Sequence, residues 1–112
     1  MPKDANANGD VFGGWVMANM DLAGAVPAVV RAGGRIATVA VNGMRFHQPI
    51  SVGDLVTCYA EITATGKTSI TVLVETWAKR RLTSDQVKVT EGTFVYVAID
   101  KNGVKRTLPP SA

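Results

Sequence analysis

A chain of 112 residues is long enough for one core and too short for two, so it reads as a single domain over 1–112. A hydrophobic fraction of 46% with a mean hydropathy of +0.13 is apolar for so small a body, and implies that part of that surface meets another subunit. The net charge of +3 and a pI near 9.3 suit a polyanionic ligand, but no helix-turn-helix or RNP-like pattern and no interleaved aromatics point to nucleic acid. Cys58 is the single cysteine, which excludes an intrachain disulfide and a cysteine-based zinc site.

In chain order, the opening MPKDANANGD is polar and lacks the apolar core of a signal peptide. The longest run of small apolar residues, AGAVPAVV, is too short to cross a bilayer and contains Pro27. The expectation is a soluble cytosolic protein with no membrane partner. From Gly14 to about Ala32 the spacing predicts a helix, with Val16, Met20, Ala23, Pro27 and Val30 along one stripe and Gly33-Gly34 as the stop. Pro27 predicts a kink or an early end.

Four strands are expected next, at 36–46, 55–65, 69–81 and 86–99, each rich in Val, Ile, Thr and aromatics. Gly66 and Gly103 stand in the short connectors where a positive φ is wanted. In the fourth strand strict alternation puts Val87, Val89, Val95, Val97 and Ile99 on one face, and Phe94, Tyr96 and Ala98 on the other. KNGVKRTLPPSA reads as a polar tail. One long helix followed by successive strands predicts an α+β domain, an antiparallel sheet packed on that helix.

Two features of DANANGDVFGGWVMANMD carry chemistry. Gly13 and Gly14 fall where the loop enters the helix, and the first turn of a helix presents unpaired N–H groups at the positive end of its dipole. Glycine lets a ligand oxygen approach that backbone closely, as an oxyanion site requires; the plainer alternative is an ordinary helix start capped by Asp10. Asp21 shares a helical face with Gly14, Met17, Ala18, Gly24 and Ala25. A carboxylate on such a face is a functional candidate, the alternative being a hydrogen-bonded core Asp.

Asp21 lies seven residues beyond Gly14, about 10 Å of axial rise. A base and an oxyanion donor must meet around one carbonyl, so the expectation is that Gly14 of one subunit works with Asp21 of a two-fold partner, with the dimer as the catalytic unit. The remaining candidates read more blandly. His47, the single histidine, is expected as a partly exposed loop residue; Trp15 and Trp77 either line a pocket or pack. Thr68 and Ser69 either bind a ligand or finish a turn, and Lys79, Arg80 and Arg81 either contact phosphate or solvate a strand end.

The blocks NANGDVFGGWVMANMD, RIATVAVNGMRFHQPISVGDLV, TGKTSITVLVETWAKR and EGTFVYVAID resemble the hotdog-fold acyl-CoA thioesterases of the YciA type, collinearly from about Asp4 to Leu108. The resemblance implies a hotdog fold, an antiparallel sheet wrapped around one long central helix, and an enzyme that hydrolyses acyl-CoA to a carboxylic acid and CoA. It implies that dimers assemble as a trimer of dimers. By the same likeness Asp21 is the catalytic Asp, a general base or nucleophile, Asn6 the loop amide, and Gly14 the backbone donor with Gly13 beside it. Thr68, Ser69, Lys79 and Arg80 are placed near the CoA moiety. No cofactor and no metal is implied, coenzyme A being part of the substrate. The chain departs from the pattern in three places: it opens almost at the loop, where the family has a preceding strand; Pro27 replaces a helix former; and HQP stands where a basic residue usually precedes the proline.

The resulting expectation is a thioesterase in which Asp21 activates water or attacks the thioester directly. A non-catalytic acyl-CoA-binding module is the alternative. A hotdog dehydratase is the weaker third reading, since it wants a histidine paired with the helix acid.

Overall fold

The computed structural model describes residues 13–51, 53–81, 83 and 85–111. Helix α1 (Gly13–Ala32) is followed by β1 (Ile36–Phe46), β2 (Leu55–Thr65), β3 (Ser69–Lys79) and β4 (Gln86–Ala98). The strands form one antiparallel sheet in the order β1-β4-β3-β2, with α1 lying across one face, mainly over β2 and β3. The α+β expectation holds. No helix among the described residues is long and apolar enough to cross a membrane.

The buried stripe of α1 is Val16, Met20, Gly24, Ala28 and Ala32, a run in steps of four. Val30, expected in that stripe, is 78% exposed, and Leu22, Val26 and Val29 are exposed beside it. The small residues Gly24, Ala28 and Ala32, rather than the larger ones, turn inward because they let the helix axis come close to the sheet. At Gly24 a β-carbon would overlap the Tyr96 hydroxyl and crowd Val74. Pro27 neither ends the helix nor shortens it: α1 runs through to Ala32 because the packed stripe continues on both sides of the proline. Gly33, at φ +69°, closes the helix by donating its N–H to the Val29 carbonyl at 2.9 Å.

On β3 alternation is clean, with Ile70, Val72, Val74, Thr76 and Ala78 all buried under α1. On β4 it is not. Thr76 pairs with Thr90 but Trp77 pairs with Lys88, so Val89 is an extra residue that bulges from the ladder. Val87, opposite Ala78, therefore shares the helix-facing side with Phe94 and Tyr96 instead of opposing them, which corrects the alternation expected from sequence. The Val89 carbonyl accepts N–H bonds from His47 and Gln48 and so turns the chain out of β1.

β3 ends at Lys79, two residues short of expectation, because the Arg80 N–H turns to the Asp85 carbonyl and closes the hairpin. Gly103 has the positive φ expected of it; Gly66 does not. Glycine is needed at 66 for space, since a β-carbon would come within 2.7 Å of the Ser69 hydroxyl. The tail is docked rather than free. Arg106 N–H bonds to the Ala98 carbonyl, Leu108 N–H to the Lys67 carbonyl, and the Arg31 guanidinium donates to the Pro109 carbonyl, while Leu108 is buried.

On the sheet face away from α1, Lys88 Nζ lies 3.1 Å from Glu75 and 2.8 Å from Glu91, and 5.9 Å from the centre of the Trp77 ring. Hydrogen bonding to Lys88 is the main cause that holds both carboxyls below their ordinary 4.5, and the bond to Glu91 is the first cause that raises Lys88 above 10.5. The depressed carboxyls contribute stability that is present above pH 4.5 and lost as pH falls through their folded values; the raised lysine contributes below pH 10.5 and loses its share as pH rises through its own. Lys88→Met is thus expected to flatten the acid decline of the thermal midpoint relative to the parent, measured from pH 6 downward. Gly24→Ala is expected to lower unfolding stability by about 1–3 kcal/mol in urea titration, the scale of overpacking a filled core; an unchanged midpoint would mean the helix can rise off Tyr96 freely.

Candidate active site

Thr38 on β1 and Tyr96 on β4 are directly paired, so both side chains rise toward α1. Both meet Asp21. The Thr38 hydroxyl donates to Asp21 Oδ1 at 2.9 Å, and the Tyr96 hydroxyl donates to the Asp21 backbone carbonyl at 2.9 Å. Burial, followed by the nearby Asp21 charge, pushes the Tyr96 hydroxyl well above its ordinary value, so it stays protonated and remains a donor. Phe94 stacks beside it with ring centres 6.4 Å apart.

A register shift at Val39 completes the site. Thr38 pairs with Tyr96 and Ala40 with Val95, so Val39 is surplus and Val41 falls opposite Phe94. Strict alternation would put residues 38 and 41 on opposite faces; the bulge puts both on the helix side. The result is a cleft of about 250 Å³ lined by Gly14, Met17, Ala18, Asp21, Val41 and Phe94. Among the described residues nothing lies within 4 Å of the place a β-carbon would take at Gly14, which leaves the start of α1 accessible from that side. Asp21 is half-buried at the other end of the cleft. Gly14 and Asp21 thus share a cleft within one chain, still separated by seven residues of helix.

A family model of the thioesterase superfamily matches residues 8–84, which include both ends of this cleft. The chain belongs to the thioesterase superfamily. It is 51% identical over 113 aligned residues to an uncharacterized acyl-CoA thioester hydrolase of Buchnera aphidicola subsp. Baizongia pistaciae, covering 98% of this chain and 84% of the relative. It is 47% identical over 112 residues to the acyl-CoA thioester hydrolase YciA of Escherichia coli K12, covering 97% and 85%. Among solved structures it superimposes on a hexameric thioesterase of Yersinia pestis with a TM-score of 0.93 at 48% identity, over 98% of this chain and 90% of that one. The expected resemblance to YciA-type enzymes and the hotdog fold both hold, and with them the expectation of an enzyme of the hydrolase class.

In this thioesterase-superfamily chain the other sequence candidates scatter. Asn6 and Asp10 lie outside the described residues, and Gly13 opens α1. Thr68 and Ser69 sit at the start of β3, where the Thr68 carbonyl accepts the Ala98 N–H. Lys79 ends the same 11-residue strand, about 33 Å away at 3.3 Å per residue, so one chain does not bring these two pairs together. Arg80 is committed to the protein: one terminal nitrogen pairs with Asp54, and the other donates to the Pro49 carbonyl at 2.9 Å. It pins the segment leading into β2. His47 is exposed, with Nε2 at 4.0 Å from Glu91 and far from Asp21 in the sheet register. Trp77 lies on the face away from α1 and donates to Glu75 at 3.2 Å. Among the described residues no three His, Cys, Asp or Glu side chains gather as metal ligands.

Sequence reasoning missed Thr38 and Tyr96. Both sit in strand-forming runs where Thr and Tyr are ordinary, and only pairing across β1 and β4 brings their hydroxyls to one helix residue. The clamp role of Arg80 makes a stability prediction: Asp54, whose side chain is 4% exposed, leaves Arg80 without its partner when replaced. Asp54→Ala is expected to cost about 3 kcal/mol in urea titration, the scale of a broken buried ion pair. A loss comparable with that of an exposed surface pair would return Arg80 to the list of free ligand contacts.

Proposed function

We propose that this protein hydrolyses acyl-CoA thioesters to a carboxylic acid and CoA, with Asp21 as the acid-base or nucleophilic group and the Gly13-Gly14 helix start as the oxyanion site. The observation that carries the reading is an Asp21 carboxylate oriented by Thr38 in an apolar-walled cleft whose far end is an open helix N-terminus. The names of near full-length relatives supply the substrate class.

In the general-base route Asp21 takes a proton from water as the water oxygen adds to the thioester carbonyl. The carbonyl oxygen gains the negative charge and accepts N–H bonds from the start of α1, where the helix dipole favours it. Collapse of the tetrahedral species breaks the C–S bond and releases CoA thiolate, which takes up a proton. In the nucleophilic route the carboxylate itself adds, thiolate leaves, and water cleaves the resulting anhydride, returning Asp21. Asn6 is assigned to orient the water or the thioester oxygen.

The functional unit we propose is a two-fold dimer in which Gly14 of one copy serves the thioester held by Asp21 of the other. Supporting it are the exposed Leu22, Val26 and Val30 on α1, at 67–78%, and β1, an edge strand that carries exposed Val39. The hexameric state of the Yersinia pestis thioesterase agrees with a trimer of such dimers. Thr68 and Ser69 remain assigned to the CoA side of the substrate, and Lys79 to a CoA contact at the opposite end of β3.

The test is thiol release from a panel of short, long and aromatic acyl-CoAs. Asp21→Asn is expected to lose at least about a hundredfold in rate with an unchanged thermal midpoint, the scale of acid-base assistance. Thr38→Val is expected to lose about tenfold in kcat with KM little changed, because it misplaces the carboxylate without touching the substrate. A folded parent that binds acyl-CoA and releases no thiol would make the protein a binding module; a fully active Asp21→Asn would remove Asp21 from the chemistry.

A further inference from the structure

Pro27 stands inside α1, in the second turn after Asp21. It has no N–H, so the Ala23 carbonyl loses the axial bond that residue 27 would otherwise donate. The turn that carries Asp21 is therefore held by one helix bond fewer than the turns before it. A turn so placed can tilt, and the Asp21 carboxylate would tilt with it.

A bond from outside the helix enters at this same turn. The Tyr96 hydroxyl donates to the Asp21 backbone carbonyl at 2.9 Å. Inside a helix that carbonyl also faces the N–H four residues on, so the tyrosine adds a bond rather than replacing one. Two further features tie the contact to the fold. Tyr96 is buried, with its ring centre 6.4 Å from that of Phe94, which leaves the hydroxyl no solvent partner. Gly24, one turn beyond Asp21, is the residue whose β-carbon would take the hydroxyl's place, so the approach of Tyr96 to the helix backbone depends on glycine there. Burial, then the Asp21 charge, raises the hydroxyl above its ordinary value and keeps it a donor at neutral pH.

We propose that Tyr96 is a positioning residue for Asp21: its hydroxyl braces the helix turn that Pro27 weakens, and so keeps the carboxylate against Thr38. Strand register makes the two contacts one device. Thr38 and Tyr96 are paired across β1 and β4, and they hold Asp21 twice, the threonine at Oδ1 and the tyrosine at the main-chain carbonyl, each at 2.9 Å. A movement of the turn that lengthened the tyrosine bond would also carry the carboxylate away from Thr38 and along the wall of Val41 and Phe94. The kinetic consequence rests on the hydrolase reading above: a reactive group misplaced without any change at the substrate contacts lowers kcat and leaves KM.

Tyr96→Phe removes only the hydroxyl and keeps the buried ring. It is expected to lose about tenfold in kcat for acyl-CoA hydrolysis with KM unchanged. In a Pro27→Ala background, where residue 27 regains its N–H, the same substitution is expected to cost at most about threefold. Val72→Ala, on β3 and outside the cleft of Asp21, thins the core under α1; it is expected to lower the thermal midpoint and leave kcat at the parent value. A second arm needs no turnover. The effects of Asp21→Ala and Thr38→Val on the unfolding equilibrium constant are expected to be non-additive by about fivefold in the parent, and additive in the Tyr96→Phe background. A parent that releases no thiol overturns the hydrolase reading, and the coupling between Asp21 and Thr38 then decides the proposal alone. The proposal itself is overturned by an undiminished kcat in Tyr96→Phe, by a loss as large in the Pro27→Ala background, by an equal loss in Val72→Ala, or by a coupling that survives Tyr96→Phe.

Discussion

A buried tyrosine must place its hydroxyl, and in this protein that requirement sets the helix on the sheet. Tyr96 stands fully buried near the C-terminal end of β4, and its O–H would cost free energy without an acceptor. The acceptor is a main-chain carbonyl of α1, that of Asp21, and it can be reached only because Gly24 one turn later has no side chain. The contact fixes the distance of the helix from the sheet and also its roll. With Val16, Met20, Ala28 and Ala32 turned into the same seam, the Asp21 side chain has to leave the helix toward β1, where Thr38 meets it.

The chemistry inherits its geometry from that seat. A carboxylate on a helix facing solvent would sample several rotamers. Here one oxygen is held by Thr38 while the surrounding wall of Met17, Ala18, Val41 and Phe94 is apolar. In the proposed mechanism the N-terminal end of α1 suits a transient negative charge, while Arg35, Lys101 and Arg106 stand beside the opposite end of the helix. The exposed apolar residues of α1 outside the cleft are the surface on which a second copy is expected to lie.

Much of the fold was legible in the chain itself. All five elements were expected in order, with boundaries within two residues, because Val-, Ile- and Thr-rich runs separated by Gly and Asp turns leave few alternatives. The errors share a cause. Strict alternation puts Val87 on the wrong face, helical spacing puts Val30 in the wrong stripe, and neither signal singles out Thr38 or Tyr96. Each depends on how one element lies against another: two bulges shift the alternation of β1 and β4, and the depth of helix burial favours small residues over larger ones. Gly66 was expected to serve a positive φ, but the space demanded by Ser69 is what requires glycine there.

For the site, the sequence by itself singled out Asp21 and the Gly13-Gly14 helix start, because a carboxylate among small residues and a glycine pair at a helix entrance are local anomalies that need no partner to be noticed. The family pattern added Asn6 and placed Thr68, Ser69, Lys79 and Arg80, already open candidates in the sequence, near the CoA moiety. Only the tertiary structure showed that Arg80 is spent on Asp54 and Pro49, that Thr68 and Lys79 stand a strand length apart, and that Arg35 meets Lys101 and Arg106 from a distant segment of the chain. Periodicity and turn chemistry act over a few neighbouring residues and so are written in the sequence. Charge clustering and hydroxyl partners depend on register and packing between segments far apart in the chain, and those are decided when the sheet closes on the helix.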